Sequence, residues 1–216
     1  MTRIKRIPCG MVNCYLLTGK DGAVLVDTGE TGYEEKILEA CAGKNVRLIM
    51  LTHGHIDHIQ NAAYLARELK APIGMNEKDL ALKQNQFAQP LSGTGIFGKI
   101  LESASKKKMK KNRIEDFTPE IFLKEGDTLE SYGIEASVLE LPGHTEGSIG
   151  LEVDGQAVIV GDALMHMLRP GMACIFGDRE KLRESAGRIS ALGSRTIYYG
   201  HGSPTKNRSR KQGNFC

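Results

Sequence analysis

The chain has 216 residues, 40% hydrophobic and 25% charged, with a formal net charge of +3. That length can bury a sizeable core, and so small a charge does not by itself imply nucleic acid. No apolar run is long enough for a bilayer, Pro8, Gly10 and Asn13 interrupt the N-terminal stretch, and the five cysteines form no CxxC or disulfide pattern, so the expected setting is a reducing cytoplasm.

The first predicted elements are strands at Asn13–Thr18 and Ala23–Asp27, joined by the turn Gly19-Lys20-Asp21-Gly22. A helix is predicted over Tyr33–Cys41, with Ile37, Leu38 and Cys41 on one face. Val46–Leu51 reads as a buried strand ending at Thr52-His53. Ile59, Ala62, Ala63, Ala66 and Leu69 then give helical spacing over about Asp57–Lys70, and Ala71–Met75 is a further strand. From about Leu80 to Thr118 the pattern is weak. Strands resume at Thr128–Leu129, Glu135–Leu141, Ser148–Val153 and Ala157–Val160, with Asp154-Gly155 as a hairpin turn. A helix at Arg179–Leu192 and a strand at Arg195–Tyr199 complete the order. Two packed sheets with helices outside accommodate it.

The chemistry concentrates in the histidines. Thr52-His53-Gly54-His55-Ile56-Asp57-His58 follows a predicted buried strand. Residues two apart in extended chain point the same way, so His53 and His55 can grip one ion. Asp57 and His58 begin a helix and face elsewhere, toward a second ion. Imidazole and carboxylate suit zinc, iron and manganese alike. Pro142-Gly143-His144-Thr145, Gly161-Asp162 and Tyr199-Gly200-His201-Gly202 each place one further ligand type in a turn after an apolar strand. A lone histidine in such a place is usually structural, but three within one hexapeptide outweigh that prior. His166, between Met165 and Met167, has no glycine turn and suits a pocket or packing role.

The series HxHxDH, GHT, GD and GHG, with Val26-Asp27-Thr28-Gly29 before it, resembles the metallo-β-lactamase superfamily from about Asn13 to Pro204. The resemblance implies an α+β fold, an αββα sandwich of two mixed β-sheets with the site at one edge. It implies that His53, His55 and His144 hold a first metal, that Asp57, His58 and His201 hold a second, and that Asp162 bridges them. Zinc β-lactamases usually lack this bridging carboxylate. Flavo-diiron and RNA-processing members carry features absent here, so the glyoxalase II-like and lactonase-like branch fits better. The implied activity is hydrolysis of a thioester, lactone or ester carbonyl by a metal-bridging hydroxide, with two divalent ions, zinc first and iron or manganese as alternatives. Asp57 is a candidate proton donor. Asp27 either orients a ligand histidine or caps a turn. The competing readings are a mononuclear iron enzyme like the persulfide dioxygenases, a nucleic-acid phosphodiesterase and a non-catalytic metal-binding module.

The whole chain, 1–216, is expected to form one domain with a lid insertion at about 84–117. Gly93, Gly95 and Gly98 offer hinges there. Ile96, Phe97, Ile100 and Leu101 offer an apolar face. Ile96, Phe97, Met165 and His166 are the candidate substrate-pocket residues. The lysines from Lys106 to Lys111 with Arg113 are either a solvated helix face or an attractor for an anionic small-molecule substrate. No aromatic residues interleave with them, which disfavours nucleic acid. A second basic cluster comprises Lys206, Arg208, Arg210 and Lys211. No membrane association is expected, and the oligomeric state is not legible.

Overall fold

A computed structural model describes residues 1–207. Arg208, Arg210 and Lys211 of the second basic cluster lie outside the described residues. The elements in chain order begin with strands β1 (Arg3–Cys9), β2 (Val12–Thr18) and β3 (Ala23–Val26), helix α1 (Glu34–Cys41) and strand β4 (Val46–Met50). Helices α2 (Ile56–Ile59) and α3 (Ala62–Leu69), strands β5 (Ile73–Met75) and β6 (Ser92–Gly93) and helix α4 (Gly95–Lys111) follow. Next come β7 (Ile121–Phe122), β8 (Ala136–Glu140), β9 (Ile149–Val153), β10 (Ala157–Ile159), β11 (Leu164–His166), β12 (Pro170–Met172) and β13 (Ile175–Phe176). Helix α5 (Arg179–Ala191) and strands β14 (Arg195–Tyr198) and β15 (Thr205–Asn207) end the described chain.

Six strands form one sheet in the order β1-β2-β3-β4-β5-β7, and five form the other in the order β15-β14-β10-β9-β8. Both are mixed. The first is antiparallel through β3 and parallel beyond it. Side-chain alternation explains how the sheets stack. Tyr15, Leu17, Val24, Val26, Leu48 and Met50 point to one face and meet Val138, Ile149, Leu151 and Ile159 of the second sheet. The alternate residues Cys14, Leu16, Leu25 and Ile49 point outward and bury against Ile37 of α1 and Leu65 of α3. On the far side of the second sheet, Val158 and Ile197 meet Leu182 and Ile189 of α5. Strands covered on both faces read as unbroken apolar runs, as β2 to β4 do. The result is the αββα sandwich.

Three expectations are corrected. The predicted helix over Asp57–Lys70 is two helices. The His58 carbonyl accepts from both the backbone N–H and the hydroxyl of Thr28, and Asn61 Nδ2 donates to the carbonyls of Thr28 and Glu30. Those bonds replace the helical pattern at the break. Strand β1 was not expected because Pro8 interrupts it, but an edge strand tolerates proline. Thr128–Leu129 contributes only an isolated bridge, Thr128 to Ser137. Among the described residues no helix is long and apolar enough to cross a membrane.

Candidate metal centre

The predicted ligand residues all follow strands that end at one edge of the sandwich. Strands β3 and β4 are parallel neighbours; Asp27 follows the first, and His53 and His55 follow the second. In the other sheet β8, β10 and β14 share one direction, because β8 and β10 are each antiparallel to β9 and β10 is parallel to β14. His144, Asp162 and His201 follow these three strands. Asp57 and His58 come from the first turn of α2.

Three overlapping trios have ligand atoms within 4.8 Å of one another: His53, His55 and His144; His53, His58 and Asp162; and Asp57, His58 and His201. The Asp162 carboxylate lies between them. One oxygen is 3.6 Å from His58 Nε2; the other is 3.5 Å from His144 Nε2 and 3.2 Å from His201 Nε2. His53 Nε2, His58 Nε2 and Asp162 Oδ1 are buried without any hydrogen-bond partner. An unpaired buried polar atom costs about 1–3 kcal/mol. Three such atoms facing one spot fit a cation there and do not fit packing.

The imidazoles are aimed by their other nitrogen. His58 Nδ1 is 2.8 Å from an Asp27 oxygen, His144 Nδ1 donates to the Ile175 carbonyl at 2.8 Å, and His201 Nδ1 donates to the Met11 carbonyl at 2.9 Å. His53 Nδ1 lies 3.0 Å from Thr52 Oγ1. Each bond leaves Nε2 free to face the centre, the arrangement that orients metal-ligating histidines. His55 differs: its Nδ1 faces His144 Nε2 at 2.8 Å.

Comparison with known proteins agrees with this geometry. Residues 7–201 match the family model described as metallo-beta-lactamase superfamily. The chain belongs to the metallo-β-lactamase superfamily. One relative, named hydroxyacylglutathione hydrolase GloC, from Haemophilus influenzae, is 31% identical over 158 residues, covering 70% of this chain and 66% of its own. Another, a probable metallo-hydrolase from Methanocaldococcus jannaschii, is 28% identical over 198 residues, 88% of this chain and 87% of its own. A protein crystallised in a di-iron-bound form superposes with a TM-score of 0.66 at 24% identity, covering 91% of this chain and 90% of that one.

The electrostatics of this superfamily site divide its histidines. Burial pushes His53, His55 and His144 down, helped by neighbouring imidazoles, and His55 falls to about 3. His58 is raised to about 10: burial opposes this, but the Asp27 and Asp162 carboxylates outweigh it. His201 rises for the same reason, through Asp162 and Asp57. Burial pushes the Asp57 carboxyl up, yet His58 and His201 hold it below its ordinary range. A carboxylate kept ionised suits cation binding. Asp27 acts as an orienting group: it accepts from the Thr52 N–H at 2.8 Å and the Thr52 hydroxyl at 2.9 Å besides facing His58.

Sequence reasoning missed three supports. Asp79 is fully buried without a cation, and four donors satisfy it: the N–H groups of Gly54 and Gly147, the Thr145 hydroxyl and Gln89 Nε2. It therefore ties the loop of His53 and His55 to the loop of His144. Asn13, also buried, donates to the carbonyls of Tyr199 and Gly202 on either side of His201. Gln86 bonds the Ile56 N–H and the Gly54 carbonyl. Of the three, Asn13 alone could have been flagged, as a lone amide within the apolar run from Val12 to Leu17; Asp79 and Gln86 sit among other polar residues. Gly200 has a definite reason. A Cβ there would stand 2.1 Å from Asp162 Oδ1 and 2.9 Å from His58 Cε1.

A cavity of about 380 Å³ opens above the centre, with His55, Asp57, His144, Asp162 and His201 at its floor. Of the four candidate pocket residues, only Met165 lines it. Ile96 and Phe97 are 85% and 47% exposed and lie outside the lining. Helical phase is the cause. Helix α4 presents Leu101, Ala104, Ser105, Lys108 and Met109 to the cavity, one stripe at spacings of three and four, and Phe97 lies a turn short of its start. His166 turns its ring to the Ser203 carbonyl, and its backbone N–H supports the His201 carbonyl.

Proposed function

We propose that this protein is a metal-dependent hydrolase of a thioester, lactone or ester carbonyl, in the manner of the glyoxalase II-like branch. The observation that carries the reading is the convergence of five histidines and two aspartates on one centre beneath the cavity, with three buried orphan atoms among them. The relative named a hydroxyacylglutathione hydrolase supports the bond class. His53, His55 and His144 would hold one ion; Asp57, His58 and His201 would hold a second; Asp162 would serve both. When bound, such ions supply Lewis acidity and make water a nucleophile near neutral pH. Zinc is the first candidate, with iron and manganese accepted by the same donors.

The chain's own residues do the rest. Asp27, Thr52, Ile175 and Met11 fix the imidazoles before substrate arrives, so no reorganisation is spent during reaction. The cavity wall keeps bulk solvent from the acyl group. Water adds to the acyl carbon, the C–S or C–O bond breaks, and the released thiol or alcohol takes the proton. We place the enzyme in the cytoplasm, because its five scattered cysteines follow no disulfide pattern. The reading treats residues 1–216 as one functional unit acting on a small molecule, with no role for nucleic acid.

The test combines elemental analysis with an activity screen over thioesters, lactones, β-lactams and phosphodiesters. Two ions per chain and turnover of a thioester, lactone or ester are expected. One ion at saturating metal would overturn the binuclear part. Phosphodiester cleavage alone, or sulfite formation with oxygen uptake, would overturn the hydrolase assignment.

A further inference from the structure

We infer that the cavity selects an uncharged, apolar acyl group of variable shape, and that the lysine-rich helix above it is not an anion receptor. The inference rests on the carbonyl-hydrolase reading and adds the substrate class. Its first support is the wall. Met11, Met109, Met165 and Met167 line the cavity from the β1–β2 turn, α4, β11 and the segment after β11. Leu101, Ile56 and Ile175 add to the apolar surface. Methionine is unbranched and polarizable, so a wall built from it moulds to ligands of different outline. Four such residues from four segments make an adaptable apolar sleeve above a polar floor.

Charge is the second support. Of the lysines in the cluster, only Lys108 faces the cavity. Its ammonium is already paired with Glu30, another lining residue. Lys106 and Lys99 both engage Glu102, and with Lys107 and Lys110 they border a separate surface groove. Above the floor the wall thus offers one cation and one anion that cancel. A carboxylate on the acyl arm would lose its water without gaining a free cation. Taking Lys108 from Glu30 would leave Glu30 unpaired in its place, so the wall gains no net attraction for a carboxylate. An apolar arm meets no such penalty.

The experiment uses metal-loaded protein and thioesters of one thiol with acetyl, butanoyl, hexanoyl and octanoyl groups, plus the hexanedioyl monothioester with its free terminal carboxylate. kcat/KM is expected to rise about fourfold per methylene until the cavity is filled, and the carboxylate-ended substrate to fall at least tenfold below hexanoyl. Met167→Glu is expected to lower the octanoyl-to-acetyl ratio at least tenfold, a ratio that cancels any loss of folded enzyme. A flat chain-length series, an unchanged ratio in the variant, or a carboxylate-ended substrate as good as hexanoyl would each overturn the inference while leaving the hydrolase reading intact. If no thioester, lactone or ester is turned over, that reading fails by itself. The sleeve is then judged by calorimetry on metal-free protein, where octanamide should bind at least tenfold tighter than octanedioate. Equal binding would overturn it.

Discussion

At the residue scale, Asp79 shows how far a metal site depends on atoms that never reach the metal. It is a carboxylate with no cation beside it, and its four donors come from both ligand loops and from Gln89. The Asp79→Asn variant keeps the shape but exchanges one oxygen for an amide nitrogen. Two donors then face a donor, and whichever pair is lost loosens a ligand loop. Partners that orient ligands typically contribute about 10–100-fold to metal affinity, and a loss of that size is expected here. Competition against a chelator on folded variant protein measures it. Unchanged affinity would show that Asp79 only fills space. The sequence pointed to the candidate ligands because histidine is rare and clustered. It did not disclose Asp79, Asn13 or Gln86, whose roles depend on neighbours more than ten residues away in the chain.

At the element scale, legibility followed burial. Strands β2, β3, β4, β8, β9, β10 and β14 and helices α1 and α5 were readable because each has a continuous or periodic apolar face. The short strands β6, β11, β12 and β13 were not, since two or three residues carry no period. Helix α4 was hidden by its composition. It buries only Gly98 and Met109 over 17 residues, whereas α5 buries four side chains over 13. Its apolar residues Ile96, Phe97 and Ile100 are spent on solvent. A helix with so few buried contacts opens at low local free energy. Amide exchange in α4 is therefore expected to be at least tenfold faster than in α5, consistent with the lid expected around 84–117. Equal protection would make α4 a fixed roof. The whole segment cannot be deleted as a clean test, because Gln86 at its start holds Gly54 and Ile56.

At the scale of the whole molecule, the sandwich concentrates opposed charges where its two sheets meet at one edge, and the metal-free protein should register this in its stability. His53, His55 and His144 are depressed by burial, His55 to about 3 from an ordinary 6.5. Below 6.5 the unfolded chain takes protons that these folded residues refuse. Their contribution is full above 6.5 and is lost as pH falls below it, for His55 toward about 3. His58 and His201 behave in the opposite sense. Burial opposes their protonation, but the carboxylates of Asp27, Asp162 and Asp57 raise them, His58 to about 10. Their contribution is full below 6.5 and is lost as pH rises above it, for His58 through about 10. The metal-free protein should therefore be most stable near pH 6.5, with a slope of about 1.4 kcal/mol per pH unit for each such group on either side. Bound metal requires neutral imidazole, so loading removes the proton that folded His58 would otherwise retain and the alkaline limb should flatten. Denaturant unfolding of chelator-treated and zinc-loaded protein between pH 5 and 10 measures both curves. If the metal-free curve is as flat as the loaded one above pH 6.5, the carboxylates do not hold a proton on His58, and the charge balance described for the empty cage is wrong.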